Sequence, residues 1–387
     1  MTSDIPALFP EMISRELAFS AEGLLPDQLL KELIRDRYIT SSNPISDDQI
    51  QPASIDLRLQ RVAYRVPASF LPSKNDPVQR KLQEIAIEEI DLSEPALLRA
   101  GGVYVIPLQE ELFLPDPFSG IANPKSSTGR LDILTRLLTD YGTKFEEVPG
   151  GYKGRLYAEV VPLTFSVIVR EGTRLNQLRV RRGNSAYSDA MLRKLHRADP
   201  IVYSQDATPA KAIVDEGLRL SVDLEGSPES DVIGYRGRRD ARPIDLSKVA
   251  YYESAEFWEP LRRNSRKSIT LESGQFYILT SKEKVSVPPA YAAEMVPYDP
   301  FIGEFRIHYA GFFDPGFGWF PEDRKGTHAV LEVRSHQLPS ILEHGQIVCR
   351  LVYEQLIAQP LRIYGQDIGS SYNSQRLALS KHFRRVT

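Results

Sequence analysis

Parts of this sequence return at a fixed spacing, and that repeat limits the folds open to the chain more than any other feature. Gly102-Val103-Tyr104-Val105-Ile106 is echoed by Gln275-Phe276-Tyr277-Ile278-Leu279, and Tyr104 to Tyr277 is 277 - 104 = 173 residues. Glu159 to Glu332 is again 332 - 159 = 173, as is Gly172 to Gly345. Upstream, Ser54-Ile55-Asp56-Leu57 is echoed by Ser221-Val222-Asp223-Leu224 at 221 - 54 = 167. A spacing this long describes duplication of a whole domain and not a solenoid of short repeats. The join falls near residues 200 to 215, dividing the chain into units 1–205 and 206–387. Ahead of it, Ser188 to Asp199 reads as a helix with Met191, Leu192 and Leu195 inward, and Gln205-Asp206-Ala207-Thr208-Pro209 reads as a linker.

The repeated unit is β-rich. Val62 to Val66 and Val103 to Ile106 are short runs of β-branched and aromatic residues, and Gly and Pro punctuate the chain between such runs. With 28 prolines a predominantly helical protein is not expected. Two amphipathic helices are: Pro26 and Asp27 open one that puts Leu29, Leu30, Leu33 and Ile34 on one face, and Pro77 precedes another with Val78, Leu82 and Ile85. A chain of 387 residues, 42% hydrophobic and 26% charged, is a soluble globular protein by composition, with enough apolar side chains for two cores.

The net charge of -3, with both signs interspersed, suggests neither a nucleic-acid partner nor a membrane surface, so any anion site must be local. Cys349 is the only cysteine, which excludes an intrachain disulfide framework and fits a reducing cytoplasm; it reads as a core residue. No run of about 18 uncharged apolar residues occurs, and the first residues are charged where a secretory signal would be apolar, so neither export nor membrane insertion is expected.

Two stretches carry candidate chemistry. Lys125-Ser126-Ser127-Thr128-Gly129-Arg130 packs hydroxyls, a glycine and two cations into six residues, a donor cluster that suits a phosphate chain. Taken alone, it is equally a turn or a helix cap. In Leu156 to Val161 the two-residue period of a strand puts Glu159 on one face with Tyr157 and Val161. Burial there would raise its pKa and suit proton transfer; the alternative is a surface carboxylate at a sheet edge. The two copies differ at these places. At the 173 offset, Ser126 to Arg130 fall on Asp299-Pro300-Phe301-Ile302-Gly303, which has no hydroxyl or cation, and its aspartate would repel a phosphate. Conversely, the second copy has the hairpin-like Ala310-Gly311-Phe312-Phe313-Asp314-Pro315-Gly316, where the first has an altered segment over 138–150.

In this order along the chain the pieces resemble the dCTP deaminase family, whose fold is shared with trimeric dUTPases. The resemblance is carried by Leu25-Pro26-Asp27, by Gln51-Pro52-Ala53-Ser54-Ile55-Asp56-Leu57-Arg58-Leu59, by Ser126-Ser127 with Arg130, and by Glu159 in its strand. It continues through Ala310 to Gly318, Leu331-Glu332 and Tyr372-Asn373-Ser374-Gln375. It implies a mainly β fold, two tandem dUTPase-like distorted β-barrels with a few peripheral helices. It also implies hydrolysis of dCTP to dUTP and ammonia in the cytoplasm. Attack of water at C4 of cytosine needs a group that removes one proton and supplies others, which a single carboxylate of raised pKa can do.

By resemblance, Glu159 is the general acid/base, Ser126 positions water and base, and Arg130 orients the site and the phosphates. Lys125, Ser127, Thr139, Asp140, Gln177, Ala310, Tyr372 and Gln375 are the further positions expected to bind substrate, the last two from a tail that closes over the triphosphate. Glu159 is preferred because it shares a copy with Ser126 and Arg130. Glu332 is the alternative, in a composite site that pairs the second copy's hairpin with the first copy's turn. Zinc-dependent deamination is not expected, since it demands His or Cys followed by x-Glu and a later Pro-Cys-x-x-Cys, which one cysteine cannot supply. The resemblance implies Mg²⁺ only with the triphosphate and a homo-oligomer, because the family builds its sites between barrels and two copies alone cannot close a three-fold ring. It leaves open dTTP or dUTP as inhibitors. The rival functions are a dUTP pyrophosphatase, a bifunctional enzyme that continues to dUMP, and a catalytically inactive nucleotide-binding regulator.

Overall fold

The computed structural model describes residues 21–297, 305–307, 311–320, 325–335, 338–366 and 376–384. Ala310, Tyr372 and Gln375, and the segment 299–303 opposite the Ser126 turn in the repeat, lie outside the described residues.

The first copy folds into two antiparallel sheets. One runs in the order Glu147–Val148, Phe118–Pro124, Arg174–Arg182, Ser54–Arg58 and Ile50–Gln51, with Gly23–Leu24 also on Arg174–Arg182. The other runs Ile133–Thr139, Lys153–Pro162, Val103–Phe113, Val62–Val66 and Glu88–Asp91, with Ile39–Ser41 on Val103–Phe113. The second copy repeats the plan. Trp258–Arg262, Val232–Gly237, Phe276–Val285 and Thr327–Ser335 form one sheet, and Leu218–Ser221, Ile347–Gln355, Tyr291–Pro297 and Phe312–Phe313 form another.

The 173-residue repeat is visible in the ladders themselves. Tyr104 faces Val160 in the first copy and Tyr277 faces Val333 in the second, where 277 - 104 and 333 - 160 are both 173. Phe118 faces Arg182 and Tyr291 faces Gln355, with 291 - 118 and 355 - 182 again 173. The upstream echo at 167 is not a structural equivalence. Leu59 bridges Leu108 and Val222 bridges Ser281, so where 281 - 108 is 173, the upstream strand is displaced by 222 - 59 = 163. A four-residue slip keeps every side chain on the same face of a strand, which is why the sequence pattern matches at the wrong register.

Helices Asp27–Arg35 and Val78–Ile85 start after Pro26 and Pro77 as the prolines direct. The helix Asp189–Ala198 is capped by Ser188, whose Oγ accepts from the Met191 N–H at 3.4 Å. Leu192 is buried in it and Leu195 is partly buried, but Met191, expected inward, is exposed. Cys349 is fully buried. No helix among the described residues is long and apolar enough to cross a membrane.

Packing does not follow chain order strictly. Ile244, Tyr252, Phe257, Trp258, Phe276, Ile278 and Phe383, all from the second copy, belong to the apolar core of the first. Ile244–Asp245 pairs in parallel with Val167–Val169, and Arg170 grips Asp245 with two bonds of 2.8 and 3.1 Å. Asp27, fully buried at the start of its helix, accepts from the Leu361 N–H at 2.8 Å and from Arg362 Nε at 3.2 Å, fixing the far end of the chain against the near end. At the seam between the copies, Arg179 has no exposed surface. Its Nη1 donates to the Ala293 carbonyl at 3.0 Å and its Nη2 to the Phe313 carbonyl at 2.9 Å, Glu354 and Asp314 lie 3.4 and 3.5 Å away, and its guanidinium stacks 3.9 Å above the Phe312 ring.

Arg179→Ala would take a donor from two seam carbonyls and leave the Glu354 charge uncompensated, and breaking a buried pair from one side costs about 3 to 5 kcal/mol. Urea unfolding followed by tryptophan fluorescence measures it. A loss under about 1 kcal/mol would mean that the seam does not depend on Arg179.

Candidate active site

Lys125 leaves the strand Phe118–Pro124 in an extended conformation, and Ser126–Gly129 turns once as a short helix, with Thr128 and Gly129 N–H groups both bonded to the Lys125 carbonyl. This turn projects from the first copy toward the strand Thr327–Ser335 of the second. On that strand the two-residue period puts Val330, Glu332 and Arg334 on one face. Arg334 bonds Asp132 just beyond the turn, Thr164 Oγ1 donates to the same carboxylate at 2.5 Å, and Glu332 faces Gly129 and Arg130.

A cleft of about 190 Å³ opens at this junction. From the first copy it is lined by Gln51, Lys125, Ser126, Ser127, Gly129, Arg130 and Gln177. From the second come Met295, Gly311, Phe312, Phe313, Asp314, Phe317, Val330, Glu332, Tyr364 and Lys381. A second cavity of about 420 Å³ adjoins it and shares Lys125, Ser127 and Lys381.

The electrostatics set Glu332 apart. Its side chain is 8% exposed, and burial pushes its carboxyl from 4.5 up to about 8, with the Arg130 charge pulling the other way and Asp132 adding to the rise. A carboxyl of that pKa is mostly protonated at neutral pH and can pass through both states in one turnover. Asp314, on the opposite wall, is also pushed up by burial against the pull of Arg179 and Lys125. Phe313 and Phe317 meet edge to face at 4.8 Å, and Tyr364 lies 6.1 Å beyond Phe317, giving the cleft an apolar flank. A β-carbon built on Gly129 would overlap the Glu332 carboxylate, so only glycine lets the turn come this close.

Ser126, Ser127, Lys125, Arg130 and Gln177 thus meet at one cleft, as the sequence led us to expect, with Lys125 also ion-paired to Asp56 and Gln177 Nε2 donating to the Pro124 carbonyl at 3.4 Å. Three other expected residues are elsewhere. Glu159 is fully buried in the strand Lys153–Pro162, where Arg136 Nε donates to it at 3.0 Å and also lies 3.7 Å over the Phe145 ring; it does not line the cleft. Thr139 is buried at the end of the strand Ile133–Thr139. Asp140 accepts from the Val78 N–H at 2.8 Å, so its carboxylate serves the start of the helix Val78–Ile85. The carboxylate facing the Ser126 turn is Glu332, from the other copy. The residues that sequence reasoning passed over are Gln51, Phe312, Phe313, Asp314, Phe317, Tyr364 and Lys381. The Gly311 to Phe317 run carried a signal, since that hairpin stands out in the second copy; Lys381 carried none. Among the described residues no three potential metal ligands gather at one point.

Residues 21–184 match the family model of the 2'-deoxycytidine 5'-triphosphate deaminase N-terminal domain, and residues 188–383 match that of its C-terminal domain. A crystal structure of 2'-deoxycytidine 5'-triphosphate deaminase from Agrobacterium tumefaciens is 48% identical, with a TM-score of 0.82, and the match covers 87% of this chain and 99% of that one. Among curated relatives, a protein named dCTP deaminase, dUMP-forming, from Nocardia farcinica is 32% identical over 117 residues, 30% of this chain and 55% of its own length. One of the same name from Rhodococcus opacus is 28% identical over 145 residues, 37% of this chain and 73% of its own. The chain belongs to the 2'-deoxycytidine 5'-triphosphate deaminase family, in a form that carries the N-terminal and C-terminal domains on one polypeptide.

Proposed function

We propose that the chain hydrolyses dCTP to dUTP and ammonia in the cleft between its two copies, with Glu332 as the proton shuttle. The observation that carries this reading is the buried carboxyl of raised pKa packed against the Ser126 turn at that cleft, beside Gly129 and within the influence of the Arg130 charge. Protonated Glu332 gives its proton to N3 of cytosine, making C4 electrophilic. The carboxylate left behind takes a proton from water as the oxygen bonds to C4. Glu332 passes that proton to the amino nitrogen, the C4–N bond breaks, and ammonia leaves. The remaining hydroxyl returns its proton to the carboxylate as the C4 carbonyl forms, so the residue ends as it began. Ser126 holds water and base, and Arg130 stabilises the carboxylate whenever it is charged. Lys125, Ser127 and Gln177 face the phosphates, and the substrate is the magnesium complex of dCTP, its ion held by phosphate oxygens and water.

A second reading, continuation from dUTP to dUMP, is favoured by the relatives from Nocardia farcinica and Rhodococcus opacus, both named dUMP-forming. Incubation of the purified protein with dCTP and Mg²⁺ separates the two by product: dUTP with ammonia alone, or dUMP with pyrophosphate as well. Absence of ammonia would overturn both. Association of chains into a homo-oligomer belongs to the same proposal and is checked by light scattering, with dTTP and dUTP tested as inhibitors in the rate assay.

Glu332→Gln should lower the deamination rate about 10²- to 10⁴-fold. Its folding stability should show the opposite sign. Between pH 4.5 and about 8 the native protein holds a proton on Glu332 that the unfolded chain has released, so this group's contribution to stability falls as pH rises through that window. The Gln variant loses that dependence and should melt higher than wild type at pH 8. Correspondingly, kcat/KM of the wild type should fall above pH about 8, as the acid form of Glu332 is lost. Glu159→Gln should keep a rate of the wild-type order and lose stability, since it leaves Arg136 without its buried partner. An inactive Glu159 variant beside an active Glu332 variant would reverse the assignment.

Gly129→Ala should push the Glu332 carboxyl out of place and cut kcat by about tenfold or more, because a misplacement of about 1 Å can cost 10²-fold. Steady-state kinetics with a thermal melt on the same sample checks it. Wild-type kcat in the Ala variant would show that Glu332 can move without loss.

A further inference from the structure

Asp132 stands where the backbone favours glycine. Its φ is +56°, in the left-handed region, and its side chain is fully buried. Both of its main-chain groups are fixed: the N–H donates to the Gly129 carbonyl and the carbonyl accepts from the Leu163 N–H, each at 2.9 Å. Glycine would hold this conformation at less cost, so what the aspartate adds is its carboxylate. Thr164 Oγ1 donates to that carboxylate at 2.5 Å, and so does Arg334 Nη1, which comes from the other copy and lies 3.4 Å from Thr164 Oγ1 as well. The ion pair crosses the seam beside the Ser126 turn.

Its place on the strand gives it a second effect. Glu332 and Arg334 lie two residues apart on one face of Thr327–Ser335, so their side chains leave the backbone about 7 Å from each other. An uncompensated guanidinium that near, largely out of water and little screened, would draw the proton off Glu332. Asp132 cancels it. The charges that act on the Glu332 carboxyl are then Arg130, which favours the anion, and Asp132, which favours the acid. Ile278 is its partner across the ladder, and Lys125, Asp314 and Lys381 stand on other walls of the cleft. Glu159 has no such arrangement. Val161 takes the place of Arg334 in the first copy, since 334 - 173 = 161, and Arg136 bonds Glu159 directly.

We propose that Asp132 and Arg334 are positioning residues for the proton shuttle: across the seam they seat the Glu332 strand on the Ser126 turn and counter each other's charge beside its carboxyl. This rests on the deaminase reading above and deepens it. The test is an infrared titration of the full chain, following the carboxylic-acid band that Glu332→Gln removes, with kcat/KM for dCTP against pH on the same samples. Asp132→Asn leaves Arg334 uncompensated and removes a like charge, so the midpoint of Glu332 should fall by roughly one pH unit; Arg334→Gln leaves Asp132 uncompensated, so the midpoint should rise by about as much. The double variant Asp132→Asn with Arg334→Gln, and Arg334→Lys alone, should stay near wild type, and the alkaline limb of kcat/KM should move with the midpoint in each case. A pair that only fastened the seam would admit water when broken from either side, and both single variants would then lower the midpoint. That result, or unmoved midpoints with rates reduced equally at every pH, would overturn the assignment. If Asp132→Asn does not fold, Arg334→Gln against Arg334→Lys decides alone, since only charge balance moves the first upward and leaves the second in place. Midpoints that move as stated in a protein that releases no ammonia would sink the deaminase reading and leave the charge balance standing.

Discussion

Closure of the seam between the two copies is the constraint on which the rest depends. A sheet face can be covered by apolar side chains, but here buried carbonyls and carboxylates have to be satisfied as well. Arg179 does most of this, bonding the carbonyls of Ala293 and Phe313 and compensating Glu354. Asn123 supports it by donating to Glu294 at 2.8 Å, a carboxyl that burial has already pushed toward its neutral form. Glu332, at the junction of the two copies, is itself 8% exposed, and that burial raises its carboxyl to about 8. Stability and chemistry at this point have one origin, since the burial that costs free energy in a charged carboxylate is also what keeps its proton on.

The site is asymmetric although the fold is nearly symmetric. At the place equivalent to Glu332, Glu159 is held by Arg136 in a direct ion pair, backed by Phe145 under the guanidinium and Ser69 bonded to its Nη2 at 2.7 Å. One carboxyl packs against a turn at the wall of a cleft, with the Arg130 charge acting on it, and the other is locked to a guanidinium on the neighbouring strand. The two strands share a register, so the difference lies in what each faces, not in the strands themselves.

Much of the fold was legible before the structure. Spacing alone located the duplication, because a ladder register is inherited residue by residue: the 173 offset of the sequence is the offset of the strand pairs. The error at 167 shows the limit of pattern, since alternation fixes the face of a strand but not a slip by an even number. Members of the site were legible as residues and not as a set. Ser126, Ser127 and Arg130 were found because their types are concentrated in six residues. Glu159 was preferred to Glu332 because nearness along the chain stood in for nearness in space. Nothing local in the sequence says that the turn of one copy reaches the strand of the other. Thr139 and Asp140 do not line the cleft, Asp140 accepting instead from the start of a helix, and Lys381 reaches the cleft only because the segment 376–384 doubles back, a long-range fact with no short-range signature.

The crossing of residues 244–258 and 376–384 into the core of the first copy has a kinetic meaning. The turn that carries Arg130 and the strand that carries Glu332 are joined covalently and clasped a second time by these segments, so the two walls of the cleft meet as parts of one molecule. Tethering of this kind holds partners at effective concentrations in the millimolar range, far above those of free subunits in solution. Walls carried by separate chains part as the protein is diluted, whereas the turn and the strand described here stay on one chain.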